Sequence, residues 1–71
     1  MDIPWEDGFS IKVRIDGGTV VISANQEGLL SLAKQLTTLA EAAPGDHIHY
    51  DENNSLEDGS AEMIIVNSNL R

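Results

Sequence analysis

Residues Phe9 to Ile15 alternate between apolar and polar side chains, with Phe9, Ile11, Val13 and Ile15 on one side and Ser10, Lys12 and Arg14 on the other. A period of two over that length predicts a strand with one face buried. Asp16-Gly17-Gly18 follows, and its glycines supply the positive φ angles that a tight hairpin turn requires. Thr19 to Ala24 (TVVISA) is the expected return strand, β-branched and apolar on both faces in its middle.

From Gln26 to Ala42 the spacing becomes helical. Leu29, Leu32, Leu36, Leu39 and Ala43 form one stripe, broadened by Ala33 and Ala40, while Ser31, Lys34, Gln35, Thr38 and Glu41 are expected to face water. Asn25 suits the N-cap, with Ser23 and Gln26 as a rival capping box. Pro44-Gly45 is the stop signal. His47 to Asp51 alternates again, with Ile48 and Tyr50 on one face. Glu52 to Ser60 reads as a loop, and Ala61 to Asn67 as a last strand, apolar on both faces from Met63 to Val66. The tail Ser68 to Arg71 is expected to fray.

The predicted order is β-β-α-β-β, an α+β fold in which one helix packs on a four-stranded antiparallel sheet. The second and fourth strands, apolar on both faces, are expected in the centre, giving the spatial order 1-2-4-3. The face away from the helix then carries Lys12, Arg14, Ser23, His47, His49 and Glu62, with an apolar strip of Val21, Ile64 and Val66. The Trp5 segment, a second copy of the chain or another partner would have to cover that strip.

A chain of 71 residues without cysteine bounds the rest. It is expected to be one domain, residues 1–71, with residues 1–8 as an N-terminal extension; its core must stabilise it without disulfides or thiolate-bound zinc. No apolar run approaches the roughly 20 residues of a membrane span, and the acidic, Pro4-interrupted start is unlike a signal peptide. A cytoplasmic location is the expectation. Twelve acidic against four basic residues give a formal charge of −8, which argues against nucleic acid and favours basic partners.

Several chemistries are excluded or discounted. His47-x-His49 places two imidazoles on one side of a strand, a zinc-compatible spacing that Asp51 and Glu62 could extend. Such rows are common on exposed sheet faces, so no metal and no cofactor are expected. Asp51, Asn53, Ser55, Glu57 and Glu62 mimic calcium-loop spacing, but Leu56 stands where glycine is required and strands flank the loop. The chain has no nucleophile elbow and no glycine-rich phosphate loop, so it is not expected to be an enzyme.

Three segments carry a resemblance: S-A-N-x-E-G-L-L at residues 23–30, P-G-D-H-I-H-Y-D at 44–51 and S-L-E-D-G-S at 55–60. Together they make the stretch Ile22 to Ile65 similar to the immunity protein 32 family of bacterial polymorphic-toxin systems. The resemblance implies a small α+β protein that binds and neutralises a cognate toxin domain. Combined with the acidic charge, it points to a basic toxin meeting Asp46, His47, His49, Tyr50, Asp51, Glu52, Glu57 and Asp58. The alternatives are a homodimeric structural or regulatory module, and a small metal-binding protein using the His47/His49 row.

Overall fold

The computed structural model describes residues 3–68. The elements follow the expected order: β1 (Ile11–Asp16), β2 (Thr19–Ala24), α1 (Gln26–Ala40), β3 (His47–Tyr50) and β4 (Met63–Val66). The expected fraying of the last residues falls mostly outside the described chain.

The strands do not form one four-stranded sheet. They form two antiparallel pairs, β1 with β2 and β3 with β4. The first hairpin turns through Gly17 (φ 55°) and Gly18 (φ 89°), a left-handed pair that matches the twist of the strands. The inner strand of this pair is β1, not β2 as expected. Ile11 and Val13 are buried, whereas Val20 and Ile22 remain exposed. The chain just before β4 takes up the free edge of β1. Glu57 N–H donates to the Ile11 carbonyl at 2.9 Å and Ala61 N–H to the Val13 carbonyl at 2.7 Å. Val13 N–H in turn donates to Ser60 Oγ at 3.1 Å. A side-chain hydroxyl thus stands where a sheet would use a carbonyl, which joins the halves without a regular ladder.

Helix α1 starts where Asn25 Oδ1 accepts from Gly28 N–H at 2.8 Å, so Asn25 is the cap and not Ser23. The same oxygen accepts from Ser10 N–H at 3.0 Å, and Asn25 Nδ2 donates to the Gly8 carbonyl at 2.9 Å. One side chain therefore ties the helix start to the approach of β1. At the other end Asn67 Nδ2 reaches the Leu39 and Ala42 carbonyls, both at 2.9 Å. This side chain thereby braces the last turn of α1 at Leu39 and the chain just beyond it at Ala42.

The helix is rotated relative to its leucine pattern. Its buried stripe is Gly28, Ser31, Leu32, Gln35 and Leu39, while Leu29 and Leu36 are exposed. Ser31 and Gln35, expected to face water, lie inside because the N-terminal segment crosses over them. Glu6 N–H donates to Ser31 Oγ at 2.8 Å, and Gln35 Nε2 donates to the Pro4 carbonyl at 2.6 Å. Outside this clamp Lys34 pairs with Glu6 at 2.8 Å. Trp5 stacks on Phe9 at 4.2 Å and meets Tyr50 edge-on at 6.3 Å. The Trp5 segment therefore covers the helix side of the core, not the outer sheet face. The core proper joins Ile11, Val13, Leu32, Leu39, Ile48, Tyr50 and Leu56.

Candidate functional site

In the second hairpin, Ile48 pairs with Ile65 and Tyr50 with Met63, and this face turns inward. Alternation sends the other face out: His47 lies opposite Val66 and His49 opposite Ile64. His47, His49, Ile64 and Val66 are all exposed, with Ile64 at 53% and Val66 at 51% of full exposure. Two large aliphatic residues thus stand in water beside two imidazoles.

Acidic groups rim this patch. Asp46 is exposed beside the start of β3, and Glu62 is exposed beside β4. His49 Nε2 lies 2.8 Å from Glu62 Oε2 and 3.8 Å from Asp51 Oδ2. Asp51 also organises the turn that follows, where Oδ1 accepts from Asn53 N–H at 2.9 Å and Asn54 N–H at 3.0 Å. Glu52 Oε2 accepts from Gly59 N–H at 2.7 Å, which pins the loop across its neck. Leu56 anchors the loop in the core, and Glu57 and Asp58 stay exposed. With Ser10, Lys12 and Ser23 they line a shallow groove over the outer face of the first hairpin.

Tyr50 is not part of this surface. Its side chain is fully buried, its hydroxyl donates to Gln35 Oε1 at 2.7 Å, and desolvation raises its pKa above the ordinary 10.0. As a partner contact it is corrected: the strand alternation that exposes His47 and His49 buries Ile48 and Tyr50. The other seven expected contact residues reach the surface, although Asp51 is only half exposed and Asp46 lies at the far end of β3 from the loop.

Among the described residues, His49, Asp51 and Glu62 form a group with one ligand atom each within 4.8 Å. Glu62, a possible further ligand on the sequence alone, lies just before β4 and joins the group. His47 does not join the group. His49 and Glu62 are open to water and Asp51 is half exposed, and the imidazole nitrogen facing the carboxylates already bonds Glu62.

The profile of the family described as immunity protein 32 matches residues 19–69, most of the chain. The chain belongs to the immunity protein 32 family. No curated protein and no solved structure matches it. In this immunity protein 32 family member the match opens at β2, so β1 and the Pro4–Phe9 clamp lie outside it. The three motif segments hold structural residues first. Asn25 caps the helix, Gly28 packs it against the hairpin, Tyr50 and Leu56 fill the core, and Ser60 bonds β1. Among their exposed members are Leu29, Asp46, His47, His49, Glu57 and Asp58.

Proposed function

We propose that this protein neutralises a cognate bacterial toxin domain by stoichiometric binding in the cytoplasm, without catalysis. Membership of the immunity protein 32 family over residues 19–69 is the observation that carries this reading. The contact surface is the outer face of β3 and β4 with Asp46, His47, His49, Asp51 and Glu52, continued by Glu57 and Asp58 at the groove over the first hairpin. Ile64 and Val66 replace Tyr50 as the apolar anchor, since they are the exposed large side chains at that face. A net charge of −8 suits a basic toxin domain. Rim carboxylates accelerate encounter, and a few desolvated groups hold the complex.

The test is binding kinetics against a toxin domain encoded beside this chain. Reversing Glu57 and Asp58 to Lys should slow association, while Ile64→Ala should speed dissociation. Association should also slow as salt rises, because exposed charges are screened over about 8 Å at physiological ionic strength. Wild-type rates in both variants, with binding still salt-dependent, would place the contact on another surface.

A further inference from the structure

Strand β2 is a bare edge. In the hairpin register, Asp16 lies opposite Thr19, Arg14 opposite Val21 and Lys12 opposite Ser23. Next to a two-residue turn these are the hydrogen-bonded pairs, so the intervening residues point their backbone groups outward. On β1 those residues are Ile11, Val13 and Ile15; the Ile11 and Val13 carbonyls accept from Glu57 and Ala61, and Val13 N–H donates to Ser60. On β2 they are Val20, Ile22 and Ala24, and no backbone partner meets them among the described residues.

This edge lacks the usual protections. Thr19 to Ala24 contains no charge and no proline, the devices that keep edge strands from pairing. Val20 and Ile22 are exposed on the hairpin face that also carries Ile11 and Val13, and Ile15, opposite Val20, is exposed beside them. The helix continues the apolar surface. Leu29 and Leu36 follow the buried Gly28 and Gln35, so they sit about 100° round the helix from the core stripe. Gln35 and Ser31 mark the opposite flank, toward Tyr50 and the N-terminal clamp. The Leu29/Leu36 flank therefore lies on the β2 side.

We propose that this chain forms a two-fold dimer by antiparallel pairing of β2 with β2 of a second copy, the Leu29 and Leu36 flanks closing over the joint. With Ile22 opposite itself and Val20 opposite Ala24 of the copy, the outward backbone groups of all three residues pair. The occupant follows from charge and from chain path. In a molecule of charge −8, the uncharged β2 edge is where two copies repel least. It offers nothing to a partner chosen for basicity, which belongs on the acidic rim of the other hairpin. The described ends lie elsewhere, with Pro4 on the Gln35 flank and Asn67 at the helix C-terminus. A standard interface covers about 800 Å² per partner, roughly a sixth of this chain's 4849 Å². A six-residue strand edge is too small for that alone, which is why the leucine flank belongs to the interface.

Sedimentation equilibrium of the full chain without any toxin decides the matter, independently of the toxin-binding reading. The wild type should show twice the 7.7 kDa chain mass over a range of concentrations. Ile22→Lys and Leu36→Glu, made separately, should each restore the monomer mass while circular dichroism keeps the wild-type helix signal. Should Ile22→Lys fail to fold, Leu36→Glu, on the exposed side of the helix, still reads the interface. Ile64→Glu on the outer face of the other hairpin should leave the dimer intact. A monomeric wild type, a dimer that survives both variants, or one dissolved by Ile64→Glu would each overturn the proposal.

Discussion

The Tyr50 hydroxyl donates a 2.7 Å hydrogen bond to Gln35 Oε1, and neither side chain meets solvent. This bond joins β3 to α1 through the core, and Gln35 Nε2 passes the connection on to the Pro4 carbonyl. A buried glutamine is tolerated here because both ends of its amide are satisfied, and among the described residues no buried side-chain polar atom lacks a partner.

Tyr50→Phe removes the one donor that Gln35 Oε1 has among the described residues and leaves a buried acceptor unpaired. The expected loss is about 1–3 kcal/mol in urea unfolding. The hydroxyl also sets an alkaline limit. Burial raises its pKa above 10.0, so the folded state holds the proton more tightly than the unfolded chain. Its contribution is complete below pH 10.0 and declines as pH climbs from there through the folded pKa. In Tyr50→Phe this alkaline decline in stability should be shallower. An equal decline in both proteins would assign it to other groups.

Gly28→Ala should destabilise the fold, reversing the gain of about 1 kcal/mol that this change brings in an ordinary helix interior. A Cβ there would stand 2.6 Å from the Ser10 carbonyl oxygen and 2.9 Å from Ile11 Cγ1. Backbone at that distance cannot yield as a flexible side chain can, so a net cost of about 1–3 kcal/mol is expected. A raised melting temperature would show that the helix can back away from the hairpin without loss.

Leu32 and Leu36 lie four residues apart and should behave differently. Leu32 is 8% exposed and packs in the core, so Leu32→Ala should cost about 2–5 kcal/mol. Leu36 is 42% exposed, and in dilute solution Leu36→Ala should stay within about 0.5 kcal/mol of the wild type. Denaturant titration of the pair checks the rotation of the helix directly.

Zinc should leave the melting temperature unchanged, despite the His49, Asp51 and Glu62 group. Its members are water-exposed or half exposed, and the His49 nitrogen that faces them is bonded to Glu62. Replacing His47 and His49 with Gln should give the same flat response to zinc and to chelator. A zinc-dependent rise of several degrees in the wild type, lost in that variant, would make the group a metal site.

The local code was legible along the chain. Alternation located β1 and β3, apolar runs located β2 and β4, Gly17-Gly18 marked the first turn, and Asn25 and Pro44-Gly45 bracketed the helix, because each of these signals acts within a few residues. Strand parity also named the outward residues of β3 that form the candidate surface, and applied strictly it places Tyr50 inside with Ile48. Tertiary contacts decided what lies far apart in sequence. Leucine spacing cannot anticipate that Pro4 and Glu6 will cross the helix and supply partners for Gln35 and Ser31, which makes two polar residues core and leaves Leu29 and Leu36 outside. Nor can apolar content rank β2 above β1 for burial, because the choice fell to the loop from Glu57 to Ala61, whose backbone and Ser60 hydroxyl claim the edge of β1. Burial follows which surfaces meet, and an edge strand rich in valine and isoleucine stays exposed until something pairs with it.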